Sequence, residues 1–321
     1  MELFDLKNNT LGEVELKPFK LEKEIQELVE KNTETLFQLE FIRSEFTVSN
    51  YRIDSLCYDV ESNSFVIIEY KKGSSYSVID QGFTYLQLLL NNKSDFLLTL
   101  SQHYNKVLRL EDIDWSQSKI IFISQSFNSY QKDSVNFKNL PFELWEIKRF
   151  SNNTIVFNKH LSSSKESIDS LSNSKNKNII TSVNKEIKVK GEDEHLSKCS
   201  KDVLDQWSLL KDKVSEFVDV EVVSKNNYIN WVYMGKNLCY FIFRKNSIVL
   251  EMVRGTVFPN GTTSKNYFNI DDPKGISNEG SWEWKSGNKG TIYKVQINKT
   301  IDIDYVMFLI KQKYNNLKSP S

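Results

Sequence analysis

The chain has 321 residues, of which 39% are hydrophobic, 26% charged and 12% aromatic. That composition excludes the disordered and fibrous classes, and the length suffices for two domains of ordinary size. Lys+Arg and Asp+Glu stand at 42 each, so no global charge marks a polyanion binder. The balance is uneven along the chain, however: residues 1–161 carry 18 basic and 23 acidic side chains, and the remainder 24 and 19.

No apolar run approaches the roughly 20 residues of a membrane-spanning helix. The start, MELFDLKNNTLGEVELK, is acidic and lacks the basic-then-apolar layout of a signal peptide. Cys57, Cys199 and Cys239 are odd in number and far apart, and His103, His160 and His195 are equally scattered. Neither a disulfide framework nor a zinc site is suggested, and the expected location is the cytoplasm.

In chain order, LEKEIQELVEKNTETLF sets Leu21, Ile25, Leu28, Val29 and Leu36 at helical spacing on one face. Strands are expected near Phe46–Asp59 and Ser64–Lys71, joined by polar turn residues around Ser62. SVIDQGFTYLQLLLNN reads as a second helix, opened by a Ser77 cap. DFLLTL, KIIFIS, FELWEIKRF and NTIVF are further strand candidates, with short helices between Ser101 and Leu110 and near Tyr130–Val135. This order predicts a mixed sheet flanked by helices.

The stretch SSSKESIDSLSNSKNKN has seven serines, two lone aliphatics and no aromatic residue. It cannot bury a core, and the polar composition continues to Lys198, so residues 162–198 read as a flexible linker. Domains are therefore expected at 1–161 and 199–316. The second opens with a helix, VLDQWSLLKDKVSEFV, continues through the strands NYINWVYMG, NLCYFIFRK, SIVLEMVR and TIYKVQI, and closes with a helix, DIDYVMFLIKQKY. That is a small α+β domain with an antiparallel sheet.

Chemistry concentrates in RIDSLCYDVESNSFVIIEYKK. Side chains alternate along a strand, so Phe65, Ile67, Glu69 and Lys71 share one side. A hairpin turning between Glu61 and Asn63 pairs residues whose numbers sum to 123 or 124, which sets Asp54 opposite Glu69 or its neighbour. Directly opposed residues have Cβ atoms about 5 Å apart, and two carboxylates so placed repel each other. A hard divalent cation such as Mg²⁺ neutralises them. Lys71, one step along the same face, suits stabilising negative charge or orienting a water.

These pieces resemble the PD-(D/E)xK nuclease superfamily, a restriction-endonuclease-like α/β fold, over roughly the first 150 residues. The resemblance rests on the Asp of RIDSL, the Glu-x-Lys of IIEYKK, a preceding acidic helix and a following helix carrying Gln81. It implies that Asp54, Glu69 and the helical acid Glu22 hold Mg²⁺ or Mn²⁺, with Gln26 and Glu30 on the stripe of Glu22. It further implies that Lys71 and Gln81 complete the catalytic set, and that the reaction is phosphodiester hydrolysis, in DNA. The proline-aspartate pair of the family name is absent, since Ile53 precedes Asp54. The C-terminal part, through VSKNNYINWVYMGKNLCYFIF and DDPKGI, resembles a domain of unknown function found in so-called predicted transport proteins.

Beside the acidic pair, Arg52 and Lys72 are candidates for substrate phosphates, although Arg52 serves equally to pair with Glu45 or Glu69. Tyr85, one helical turn from Gln81, is placed to face the same cleft, with packing its favoured role. In the C-terminal domain Lys236, Arg244, Lys245 and Arg254 read as exposed cations able to meet nucleic acid, whereas Trp231, Tyr233, Tyr240 and Phe241 read as core, as does at least one of Trp282 and Trp284. The alternative to a nuclease is a non-catalytic module that binds nucleic acid or protein, in which the acids are structural. A protein partner would then engage the C-terminal domain.

Overall fold

A computed structural model describes residues 2–71, 78–136, 140–160, 190–225, 227–264, 267–284 and 286–318. The chain divides into two compact units, Met1–Ile187 and Lys188–Ser321.

The first unit opens with a small hairpin, β1 (Phe4–Lys7) and β2 (Thr10–Glu13), and the helices α1 (Glu22–Glu30) and α2 (Thr33–Phe37). The strands β3 (Glu40–Val48), β4 (Tyr51–Asp59) and β5 (Ser64–Lys71) follow, then α3 (Val78–Asn91), α4 (Lys93–Tyr104), β6 (Lys119–Ser124), α5 (Ser129–Ser134), β7 (Phe142–Arg149) and β8 (Ile155–Lys159). The last six strands form one sheet in the order β3-β4-β5-β6-β7-β8. The β5–β6 and β6–β7 pairs are parallel and the others antiparallel. This is a mixed α/β sheet with helices on both sides.

Both faces are buried, which explains why SFVIIEY is a continuous apolar run rather than an alternating one. On one face Phe65, Ile67, Ile120 and Phe122 pack against Leu86 and Leu89 of α3 and Phe96 and Leu100 of α4. On the other, Val66, Ile68, Tyr70 and Ile121 pack against Ile25 and Val29 of α1. Each such fully buried side chain stabilises the fold by about 1.5–3 kcal/mol.

The β4–β5 hairpin has its expected register, from Asp59↔Ser64 to Ser55↔Ile68. Asp59 Oδ1 accepts from the N–H groups of Glu61 and Ser62 at 3.0 and 3.1 Å, and Asn63 takes a left-handed φ of 50°. Both devices belong to tight turns.

Two expectations need correction here. The region around Phe46–Asp59 is two strands, because the turn between Val48 and Tyr51 splits it and β3 reaches back to Glu40. DFLLTL lies in α4: Phe96, Thr99 and Leu100 are buried while Leu98 is exposed, a helical spacing hidden inside a short apolar run. The expected Ser77 cap lies outside the described residues.

The second unit comprises α6 (Glu192–Leu196), α7 (Lys201–Val214), β9 (Val220–Ser224), β10 (Ile229–Tyr233), β11 (Lys236–Arg244), β12 (Ser247–Val257), β13 (Ser277–Glu283), β14 (Lys289–Ile297) and α8 (Ile303–Lys318). Its antiparallel sheet runs β13-β14-β12-β11-β10-β9. Val203, Trp207 and Leu210 of α7, with Val306, Leu309 and Ile310 of α8, pack against Ile229, Trp231, Phe241 and Leu250.

Residues 162–189 of the expected linker lie outside the described residues, but α6 falls within its bounds. Glu192 accepts from Trp207 Nε1 at 2.9 Å and from Lys211 Nζ at 2.8 Å. The fold of the second unit thus begins before residue 199. Among the described residues, no helix is long and apolar enough to cross a membrane.

Candidate active site

The β4–β5 ladder ends at Ser55↔Ile68, and the next residues in that register are Asp54 and Glu69. Here a side chain takes over from the backbone: Asp54 Oδ2 accepts from the Tyr70 N–H at 3.1 Å. Glu69 is buried, 5% exposed. Burial pushes its carboxyl above the ordinary range and the Asp54 charge adds to this, while Lys71 and Gln81 pull it down. Burial likewise raises Asp54, opposed by the Tyr70 N–H and Lys71 and reinforced by Glu22. Burial, helped by a neighbouring acid in each case, thus outweighs the local cation at both acids.

The two oxygens of Glu69 have different surroundings. Oε1 receives Lys71 Nζ at 3.0 Å and Gln81 Nε2 at 2.7 Å. Oε2 is buried without a hydrogen-bond partner among the described residues. The amide of Gln81 also donates to the Tyr85 hydroxyl at 3.0 Å, and that hydroxyl donates to the Arg52 carbonyl at 3.3 Å. Residues four apart on α3 therefore clamp Glu69 and the start of β4 together. Tyr85 fills both expected roles: its ring is buried in the core and its hydroxyl joins Gln81 at the site.

Asp54, Glu69, Lys71 and Gln81 converge at one place. Glu22 does not join them as a close third acid. It is exposed in the first turn of α1 and acts on Asp54 through its charge. Among the described residues no group of three or more His, Cys, Asp or Glu side chains is arranged to hold a metal. The pair itself still suits a hard divalent cation, because two carboxylates with one unpartnered buried oxygen match an ion that takes one or two carboxylates and keeps its waters.

Arg52 is exposed and lies 3.8 Å from Glu45, its nearer expected partner. Lys72 lies outside the described residues. In the second unit Lys236, Arg244 and Lys245 are exposed, but Lys236 and Arg244 are the two ends of the nine-residue β11, about 27 Å apart along the strand. They are not one patch.

The expectation for Arg254 is overturned. It is 8% exposed, 2.6 Å from Glu279 and 2.8 Å from Asn269 Oδ1, with its guanidinium over the Tyr293 ring. Trp231, Tyr240 and Phe241 are buried, as is Trp284. Behind the acids, Gln26 and Glu30, expected only on the stripe of Glu22, join Ser55 and Tyr70 in a polar group that was not expected. Polar positions inside the apolar stripes of α1, β4 and β5 were its signal.

Fold and site together define an α/β protein with a paired-acid centre at the end of a β-hairpin. The chain belongs to the same family as an uncharacterized protein of Haemophilus influenzae, with which it shares 36% identity over 318 residues, covering 97% of this chain and 99% of the relative. No family model matches it.

Three solved structures show weak likeness. One is an EndoMS–double-stranded DNA complex, at 20% identity over 41% of this chain and 47% of that chain, with a TM-score of 0.25. A repair endonuclease from Pyrococcus abyssi is 16% identical over 39% and 47%, with a TM-score of 0.23. Pyrococcus furiosus SfsA in complex with Ca²⁺ is 13% identical over 47% and 77%, with a TM-score of 0.25. The matches span about half the length of the first two chains. At such scores, the fold assignment rests on the sheet order and register given above.

Proposed function

We propose that this protein is a metal-dependent nuclease hydrolysing phosphodiester bonds in DNA, with its centre at Asp54 and Glu69. One observation carries the reading: the buried Oε2 of Glu69 lacks a partner among the described residues, beside a second carboxylate that the fold holds at a raised pKa. A structure does not ordinarily keep such a pair without a compensating ligand. Asp54 and Glu69 would hold Mg²⁺ or Mn²⁺, which, when bound, polarises a phosphoryl oxygen and activates water.

The remaining work falls to the protein's own side chains. Gln81, steadied by Tyr85, occupies Glu69 Oε1 and so leaves Oε2 as the acceptor available to a ligand. Lys71 places its ammonium at the same carboxylate, where it stabilises charge building on the phosphate and orients the attacking water. Glu22 adds negative charge from α1 without closing on the pair.

The first 161 residues are net −5 and the rest net +5. A net acidic first part with an acid pair of this kind repels DNA in the absence of metal, and the second unit supplies the compensating charge, with Arg244 and Lys245 together at one strand end. The non-catalytic reading is favoured by the ion pair that Lys71 already makes with Glu69. An assay decides between them: with Mg²⁺ or Mn²⁺, the native chain should cleave single-stranded, double-stranded or branched DNA. Asp54→Asn and Glu69→Gln should each lower the rate by at least about 100-fold. Binding without cleavage of any substrate would leave the non-catalytic module.

A further inference from the structure

Behind the acids, on the opposite face of the same strands, a polar network crosses an apolar layer. Gln26, Ser55 and Tyr70 are buried beside Val29, Val66 and Ile68. Gln26 Nε2 lies 2.8 Å from Glu30 Oε1, 3.1 Å from Ser44 Oγ and 3.1 Å from the backbone carbonyl of Asp54. Two amide protons thus serve three acceptors. Glu30 Oε1 also accepts from Ser55 Oγ at 2.6 Å, and Ser55 Oγ is 3.1 Å from the Tyr70 hydroxyl.

Three of these links touch the backbone that carries an acid. Ser55 follows Asp54, Tyr70 lies between Glu69 and Lys71, and Gln26 holds the carbonyl of Asp54 itself. The network also sits where the ladder gives out, beyond Ser55↔Ile68. There, repulsion between the two carboxylates works to part the strands. For stability alone, well-packed apolar residues would serve as well as a buried polar group.

We propose that Gln26, Glu30, Ser55 and Tyr70 are positioning residues that fix the separation of the Asp54 and Glu69 carboxylates, and so set the affinity of the pair for a divalent cation. The inference rests on the metal-site reading and adds to it the support that holds the acids together from behind. Such supporting hydrogen bonds are typically worth 10–100-fold in metal affinity. Gln26 and Glu30 act through one shared set of bonds, so their effects should not add.

The test uses the full chain and two readouts: Mn²⁺ binding by titration, and hydrogen exchange at the Tyr70 amide in metal-free buffer. Gln26→Met keeps side-chain length and removes both donors, while Glu30→Gln keeps shape and removes the charge. Each should weaken Mn²⁺ binding about tenfold, the double variant hardly more, and each should speed exchange at Tyr70. Amides of β11 and β12 should remain protected.

Val29→Ala, an apolar truncation in the same layer, should lower stability and leave Mn²⁺ affinity native. If Gln26→Met does not fold, Tyr70→Phe gives the same two readouts. Native Mn²⁺ affinity together with native Tyr70 protection in the folded variants overturns the proposal, as does an equal loss of affinity in Val29→Ala. If the native chain binds no Mn²⁺, the metal reading falls, and Tyr70 exchange alone decides whether the network holds the acids together.

Discussion

Asp54 and Glu69 are both held above the ordinary carboxyl range, and the sign of that shift makes a prediction. A raised acid binds protons on folding, so its contribution is present below the unfolded pKa of about 4 and is lost as pH rises through the folded value. Metal-free Glu69→Gln should therefore be more stable than the native chain at pH 7, by about 1 kcal/mol. The gain should vanish below about pH 4, where both acids are neutral. Urea denaturation across pH checks this, and a less stable variant at pH 7 would make Glu69 a structural residue. Asp54 differs, because its Oδ2 serves the Tyr70 N–H. Asp54→Ala strips that buried donor and should cost about 1–3 kcal/mol, whereas Asp54→Asn retains an acceptor and should cost less. Glu143 shows the opposite sign. Burial pushes its carboxyl up, but Lys119, Lys159 and the Trp145 N–H more than offset this and hold it down at about 2. Its contribution is present above the ordinary carboxyl pKa and is lost as pH falls towards about 2. Since Lys119, Glu143 and Lys159 bridge β6, β7 and β8, Glu143→Gln should destabilise the first unit by about 2–3 kcal/mol at pH 7. Thermal melts at pH 7 and pH 3 should show the difference shrinking with acid.

At the scale of elements, the approach of α3 to the sheet decides where Gln81 lies. A Cβ on the neighbouring Gly82 would come within 2.6 Å of the Phe142 ring on β7. That ring is held by Phe83 and Phe122, so it has little room to swing away. Gly82→Ala should therefore cost about 1–3 kcal/mol by overpacking, and should lift Gln81 from Glu69, lowering any cleavage rate more than a surface substitution does. An equal rate and melting temperature would show that the helix relaxes freely. The elements around the acids were legible because their signals are local. A polar turn fixed the register of β4 and β5, so the pairing of Asp54 with Glu69 followed from residue numbers alone. What lay beyond local pattern was misread. DFLLTL is short enough to suit either period, and only the burial of Phe96 and Leu100 against β3 to β5 makes it helix. The edge strands β9 and β13 carry weak alternation, and their pairing partners β10 and β14 supply the order the sequence does not show. The polar positions of the rear network were legible but its connections were not, since Gln26 and Tyr70 meet through Ser55 and Glu30 only once the sheet exists.

For the molecule as a whole, charge is divided between two units: the residues from Lys188 onward are net +4. Of the cations expected to meet nucleic acid, Lys236 lies at the opposite end of β11 from Arg244 and Lys245, and Arg254 is committed to Glu279 and Asn269. If the second unit meets DNA through one strand end, Arg244→Ala with Lys245→Ala should weaken DNA binding by the full chain and reduce its salt dependence by about two phosphate contacts. Lys236→Ala should leave binding near native. Equal effects at both ends of β11 would point to diffuse attraction instead. The proposed activity depends on the paired acids, and the rate of DNA cleavage by the full chain as Mg²⁺ or Mn²⁺ is titrated, beside Glu69→Gln, tests it. The prediction is cleavage that requires the metal, saturates with it, and falls at least about 100-fold in the variant. Cleavage that persists unchanged in Glu69→Gln, or its absence from the native chain on every DNA substrate and with either metal, would contradict it.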